Sequence, residues 1–443
     1  MTFRKTIRNW IRSNGILYAL LGWKMRHRIR CFFADLMLRL IRGTVRWFVV
    51  LPMNVVSKVF SVECFICDNL GSIGHLVLEV ARPIVMYASF SRKKHIVFVG
   101  DKSKAANAYL LSLWESRYPF LNAAGTTLER LSLFSKVYQP RLVQYWYDNH
   151  RHIDHVITMF NGPPPIELPE DDVARGYRLL ERLGVSKSEW FVCAHAREGG
   201  FKPHLTYHSY RDTDIHTFIP AFEYITARGG KVIRIGDATM KALPSSSGVI
   251  DYAHSPMKSD FMDIFLLSRC RFLIGCNSGI SNVAWLFLRP AVYVNVIPLG
   301  DCGAANVFIP KLLYSKRLAR CLTIPELFEL GCLDFYRTEQ YERAGLEPVC
   351  NDPQDILDAV AELMCGLDGD VSFTAEDELR QDYFRRLLRA QGFPPWKRTR
   401  MSRNFTRKYG DLIAPGVGTN DMAHAGNEGV HEHGLHGSHK ERS

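Results

Sequence analysis

Acidic residues are almost missing from the first sixty positions, and no stretch of the chain is apolar for long enough to cross a bilayer. Those sixty residues hold twelve Lys or Arg against one acid, Asp35, while the rest of the 443 residues balances at 44 of each sign. The net charge of +11 therefore belongs to the N-terminus alone. There it is mixed with Trp10, Trp23, Phe32, Leu36, Leu40, Trp47 and Phe48. That mixture excludes nucleic acid as the favoured partner, because bulky aliphatics between cations suit a lipid interface better than a phosphate backbone. The longest charge-free run, residues 272–288, has seventeen residues, fewer than the ~20 a transmembrane helix needs. It is also broken by Cys276, Asn277, Ser278 and Gly279. A cleavable leader is not expected, since arginines keep recurring after each apolar patch.

The cysteines lack organisation. Eleven of them, an odd number, are scattered along the chain. Cys193, Cys270 and Cys276 sit inside apolar runs, which fits reduced, buried thiols in the cytosol better than a disulfide framework. Cys64 and Cys67 form a C-x-x-C, but no second pair and no His stands at zinc spacing. Within the basic segment, Arg4, Arg8 and Arg12, and again Arg39, Arg42 and Arg46, recur at helical spacing. Basic amphipathic helices are expected over residues 1–60, lying on an anionic membrane surface or packed on protein.

At this length two lobes are expected rather than one core. From residue 61 the chain alternates, with strands at 61–67 and 95–101 around a helix at 75–88. Residues 161–171, with four prolines, read as a linker. Four near-continuous apolar strands follow at 190–196, 231–237, 271–277 and 291–298, separated by helices near 217–228, 258–270 and 280–288. Such strands in alternation with helices predict a parallel sheet covered on both faces. The division expected is a basic helical segment (1–60), a first Rossmann-like lobe (61–165), a second (172–330), a helical region (331–404) and a structureless tail (405–443). The tail's His431, His433, His436 and His439 read as a flexible tract.

Ligands of parallel sheets bind beyond the carboxyl ends of strands. The loop after 271–277 places Asn277, Ser278 and Gly279 at a helix start, where free N–H groups and the helix dipole favour an anion; capping by Asn277 or Ser278 is the plain alternative. After 190–196 come His195 and Arg197, whose forked cation suits a diphosphate or pairs with Glu198. Arg234, charged within a buried strand, must reach a carboxylate such as Asp251 or a ligand, and the ion pair is preferred. Ser259 and Asp260 at a helix start would touch a nucleoside or cap the helix. Asp212 and Asp214 form a D-x-D, read as capping and loop structure with Thr217 as N-cap. In the first lobe, "GSIGHLVLE" puts His75 and Glu79 one turn apart, facing the cleft as a base or lying on the helix surface.

The stretch from "CAHAREGGF" through "FLIGCNSGISNVAWLFLRPAVYVN" resembles a family of bacterial glycosyltransferases with the two-lobed GT-B fold, defined largely by sequence. It is distantly similar to fucosyltransferases, whose H-x-R looks like His195 and Arg197. The second Arg of that pattern is Glu198 here, a departure from a GDP-fucose donor. The likeness covers residues 61–300. It implies an α/β GT-B enzyme, two Rossmann-like lobes facing a cleft, that moves a sugar from a nucleotide sugar to a glycan or lipid-linked acceptor of the cell envelope. Donor contacts would come from His195, Arg197, Arg234, Asp251, Ser259, Asp260, Asn277, Ser278 and Gly279. His75 or Glu79 would act as base, without a metal. A place on the inner face of the cytoplasmic membrane follows from the basic N-terminus. The rival readings are a nucleotide-sugar epimerase on the same fold and a membrane-associated binding protein without catalysis.

Overall fold

The computed structural model describes residues 43–88, 95–139, 162–201, 206–301, 305–393 and 399–415, with the backbone of 143–144 and isolated helical positions between 32 and 40. The expectations for residues 1–31 and for the histidine-rich tract lie outside the described residues. No helix among the described residues is long and apolar enough to cross a membrane.

Helix α1 (Leu51–Phe60) leads into the first lobe. There β1 (Val62–Cys67), α2 (Ile73–Ala88), β2 (His95–Gly100), α3 (Ala108–Glu115), β3 (Phe120–Asn122), α4 (Gly125–Tyr138) and β4 (Val143–Gln144) follow in turn. The four strands form a parallel sheet in the order β3-β2-β1-β4. Its core closes on Phe98, which stacks on Phe120 at 5.7 Å and meets Tyr118 edge-on at 5.9 Å. Asn107 starts α3 by accepting from Leu110 N at 2.7 Å, the bond a helix start needs. The proline-rich stretch is more than a linker, because Ile166 and Leu168 are buried within it. It runs into α5 (Glu170–Arg182), whose first turn carries Glu170, Asp171 and Asp172 at the positive helix end.

The second lobe is built from β5 (Phe191–Ala194), α6 (Ile219–Thr226), β6 (Lys231–Arg234), β7 (Val249–Ile250), α7 (Asp260–Arg269), β8 (Leu273–Gly275), α8 (Gly279–Leu286), β9 (Ala291–Val296) and β10 (Val307–Pro310). Each of β5, β8, β9 and β10 is buried along its whole length, which explains their unbroken apolar sequence. A small antiparallel sheet of β11 (Leu312–Ser315), β12 (Arg320–Cys321) and β13 (Leu346–Val349) branches off, with α9 (Ile324–Glu329) and α10 (Thr338–Arg343) beside it. Helices α11 (Pro353–Asp368) and α12 (Ala375–Ala390) and strand β14 (Arg400–Met401) return to the main sheet, whose parallel order is β14-β10-β9-β8-β5-β6-β7.

Two expectations need correction. The second lobe does not stop near residue 330, since β14 forms its edge. Nor is the chain structureless from 405: α13 (Arg403–Lys408) and α14 (Gly410–Ile413) bury Phe405 and Ile413. Few apolar residues announce this segment because ion pairs hold much of it. Arg400 pairs with Glu378 at 2.9 Å, Arg407 with Asp377 at 2.7 Å and Lys408 with Asp355 at 2.7 Å.

The lobes meet through their carboxyl edges. Gly74, just past β1, lies against Gly279, just past β8. Asn107, beyond β2, donates through Nδ2 to Asp260 O at 2.9 Å, and Ala108 N donates to Asp260 Oδ2 at 2.6 Å. Two Rossmann-like lobes with opposed carboxyl edges make this an α/β chain of the GT-B type.

Candidate active site

Each parallel sheet reverses its strand order once beside a long helix-bearing loop. In the first lobe β2 and β3 lie to one side of β1 and β4 to the other. In the second, β6 and β7 flank β5 on one side, while β8, β9 and β10 continue on the other. Crevices at such reversals are where open α/β sheets take ligands. The segment after β1 carries Gly74 and His75, in the first turn of α2; the segments after β5 and β8 carry His195, Arg197, Ser278 and, as the first residue of α8, Gly279. The two reversals therefore face each other across the seam.

Glycine at both contact points is a steric requirement. A Cβ on Gly279 would stand 2.7 Å from Gly74 N, and one on Gly74 would stand 2.8 Å from Gly279 Cα. Gly279, expected to let a phosphate approach, is also required by a nearer cause, the backbone of the opposite lobe. This contact brings the N-terminal ends of α2 and α8 together, and neither helix has an acid in its first turn. Two positive helix ends converge there without a carboxylate from those turns to offset them. Ser278 occupies the N-cap position of α8 yet makes no capping bond. Its Oγ is buried without a hydrogen-bond partner among the described residues.

One turn into α2, His75 Nδ1 and Glu79 Oε1 are 2.9 Å apart. Glu79 is buried, and burial holds its carboxyl above the usual carboxylate range although the His75 hydrogen bond pulls it down. In the tautomer that carries its proton on Nδ1, toward the carboxylate, Nε2 is the ring nitrogen with the lone pair.

Across the seam, burial and the nearby Arg234 and Arg197 push the His195 imidazole down to about 4. The ring is thus neutral at pH 7, and its Nδ1 lies 3.1 Å from Ile235 O. Arg197 N donates to Cys276 Sγ at 3.2 Å, which ties the loops after β5 and β8 together. The Arg197 guanidinium bonds Asp212 and, at 3.1 Å, His208 O; its partner is Asp212, not Glu198. Burial and the Arg211 charge beside it lower the Arg197 pKa. Lys311, buried, donates to Tyr210 O at 3.0 Å and Asp212 O at 2.7 Å. Arg197, Arg211 and Lys311 all act on the Cys276 thiol, which burial nevertheless holds above its ordinary range. Three cations thus act on this wall of the crevice, one of them paired with Asp212.

Other residues expected at the donor hold hydrogen bonds within the protein. Arg234 is fully enclosed and donates to Asp251 Oδ1 at 2.9 Å and Lys241 O at 3.0 Å. Asp251 also accepts from Leu243 N at 2.9 Å. The pair pins the loop between β6 and β7, and its enclosure removes Arg234 from the donor contacts. Ser259 caps α7 by accepting from Met262 N at 3.3 Å, and Asp260 is committed to the lobe seam. Asn277 Oδ1 accepts from Ile297 N at 3.1 Å. Asp214, rather than Thr217, caps the turn before α6 by accepting from His216 N at 3.1 Å. The sequence reading missed Arg211 and Lys311, whose segments reach the crevice only through the fold. Lys311 left a signal: a cation directly after the buried strand β10, at its carboxyl end. An open cavity of about 490 Å³ adjoins the crevice, lined by Tyr210, Asp212 and Lys311 among others.

No family model and no curated protein matches the chain. Among solved structures it is similar to a glycosyl transferase of family 9 from Veillonella parvula, at 13% identity and a TM-score of 0.37, over 64% of this chain and 95% of that one. It is also similar to the ADP-heptose LPS heptosyltransferase II of E. coli, at 13% identity and a TM-score of 0.34, over 52% and 84%. A third is the iron-containing dodecameric glycosyltransferase TibC of enterotoxigenic E. coli, at 14% identity and a TM-score of 0.30, over 52% and 57%. Likenesses of this size assign neither donor nor acceptor.

Proposed function

We propose that this chain is a glycosyltransferase that moves a sugar from a nucleotide diphosphate sugar to a glycan or lipid-linked acceptor of the cell envelope, at the inner face of the cytoplasmic membrane. The observation that carries the reading is the meeting of two sheet reversals at Gly74 and Gly279. There two positive helix ends and the Ser278 hydroxyl, without a hydrogen-bond partner among the described residues, stand beside a histidine–carboxylate pair. In such a transfer the glycosidic bond to the diphosphate breaks as the acceptor oxygen bonds the anomeric carbon, so negative charge grows on phosphate. First-turn N–H groups of α8, Ser278 Oγ and Arg197 would bind that charge. Arg197 would exchange Asp212 for phosphate, leaving one carboxylate to solvent. His75 Nε2 would take the acceptor proton, with Glu79 fixing the tautomer and balancing the imidazolium. His195, neutral, would contribute a hydrogen bond rather than a charge. No metal is needed in this scheme, so turnover is expected to survive exhaustive chelation.

The test is release of nucleoside diphosphate from a panel of nucleotide sugars, with and without a bacterial lipid extract, by wild type and Glu79→Gln. Release that requires the extract and falls ~10²-fold or more in the variant is expected, the range for losing acid–base assistance. Conversion of donor to an isomeric nucleotide sugar without any acceptor would make the chain an epimerase. Inertness toward every donor would leave a binding protein.

A further inference from the structure

The helical run that precedes β1, residues 43–60, buries only Val50 and Ser57, seven residues apart on one narrow stripe. Apart from the half-buried Val45 and Met53, its remaining apolar side chains face outward: Trp47 is 70% exposed, Phe48 79%, Val59 67% and Phe60 64%. A surface helix normally turns charged residues outward. An apolar patch of this kind marks an interaction site. The charge-free run 47–57 has eleven residues, ~16 Å of helix. That is about half the ~30 Å hydrocarbon thickness of a bilayer, a length for lying in an interface rather than crossing it.

We infer that this helix seats the first lobe on an anionic lipid bilayer, with Trp47 and Phe48 inserted at the same end of the sheet as His75 and Glu79. Charge selects the occupant. Twelve cations against one acid in residues 1–60 complement an anionic leaflet, whereas a second copy would bring the same excess against itself. Trp and Phe suit the boundary between headgroups and acyl chains.

Topology sets the orientation. Ser61, in a left-handed conformation at φ 52°, turns the chain from α1 into β1, and the shared cluster of Met53 and Ile66 sets α1 back along the strand. Met53 packs in the small cluster of Ile66 and Leu128, level with the end of β1. The helical run extends from Met53 back to Gly43, ten further residues or ~15 Å, past the carboxyl edge from which α2 starts. Bilayer and base thus share one edge of the first lobe. The acceptor hydroxyl would arrive from the membrane, on a lipid or a lipid-linked glycan. Only this last step rests on the proposed function; the lipid surface does not.

The experiment is co-sedimentation of the full chain with vesicles of phosphatidylcholine alone or with one third phosphatidylglycerol, at low and high salt. Wild type should bind the anionic vesicles and lose part of that binding in salt. Trp47→Ser combined with Phe48→Ser should lower the partition coefficient at least tenfold without changing the melting temperature, because both side chains are exposed. Val55→Ser with Val59→Ser should weaken it similarly. Undiminished binding by both double variants, or no binding by wild type, overturns the inference. A fall in oligomeric state by light scattering, with vesicle binding unchanged, would give the face to a second copy instead. Vesicle binding needs no donor, so it can fail or succeed independently of nucleotide-sugar chemistry.

Discussion

At the scale of the residue, the proposed chemistry and stability pull Glu79 in opposite directions. Its folded pKa is raised by burial, so the native state holds its proton more tightly than the unfolded chain does. Stability therefore falls as pH rises from the ordinary value of 4.5 through the raised one, and the cost is fully present above it. Glu79→Gln removes that cost. The variant should melt higher than wild type at pH 7 to 8, with the gain vanishing toward pH 4, while transfer is lost; a lower melting point at pH 8 would contradict the burial argument. His195 works the other way. With its folded pKa lowered to about 4 from 6.5, the unfolded state binds the proton first, and stability drops as pH falls through that window. His195→Asn should flatten the acid side of the stability profile between pH 6.5 and 4. The two arginines separate just as cleanly. Arg234→Ala removes the fully enclosed partner of Asp251, which keeps Leu243 N and His254 Nδ1, and should cost ~3 kcal/mol, as for a broken buried pair. Arg197→Ala loses a partly exposed pair and should cost ~1 kcal/mol or less, its effect falling on donor binding. Equal stability losses at both positions in urea unfolding would sink the distinction.

At the scale of the element, the seam between α2 and α8 decides the geometry. Alanine in a helix is worth ~0.5–1 kcal/mol over glycine, so propensity alone favours Gly279→Ala. Its Cβ would stand 2.7 Å from the Gly74 backbone, and overpacking of that kind costs ~1–3 kcal/mol. Clash outweighs propensity. Gly279→Ala should lower the urea midpoint and weaken donor binding together; a more stable variant with unchanged binding would show that the lobes need not touch here. Much of this was readable beforehand, since unbroken apolar runs gave β5, β6, β8 and β9, and turn residues at their carboxyl ends gave Arg197, Ser278 and Gly279. Other parts were not. Asp260 reads as a helix-start acid and proves to bind the other lobe's Ala108 N. Arg211 and Lys311 lie far apart in sequence and become neighbours only once β5 and β10 share a sheet. The reason for Gly279, a backbone some two hundred residues away, has no local signature at all.

At the scale of the whole molecule, the chain is a basic, apolar-faced helix attached to two lobes, with a C-terminal strap that closes the larger sheet. The strap was illegible because charge rather than apolar area fastens it. Asp355, Asp377 and Glu362 are buried carboxylates that meet Lys408, Arg407 and the Ser402–Arg403 turn. A chain ended at residue 398 leaves them without those partners, at ~1–3 kcal/mol each. It should melt well below the full chain, and an unchanged melting temperature would mean that the second lobe is complete without β14.

The central claim is that the crevice between the lobes is built for a nucleotide's diphosphate. Thermal unfolding of wild type, Arg197→Ala and Ser278→Ala in the presence of ADP, GDP, UDP and CDP tests it most directly. A ligand at 100 times its dissociation constant stabilises by ~2.7 kcal/mol. At least one diphosphate should therefore raise the wild-type melting temperature by a few degrees, with the shift abolished in Arg197→Ala and reduced in Ser278→Ala. No shift with any of the four, or the same shift in all three proteins, would contradict the claim.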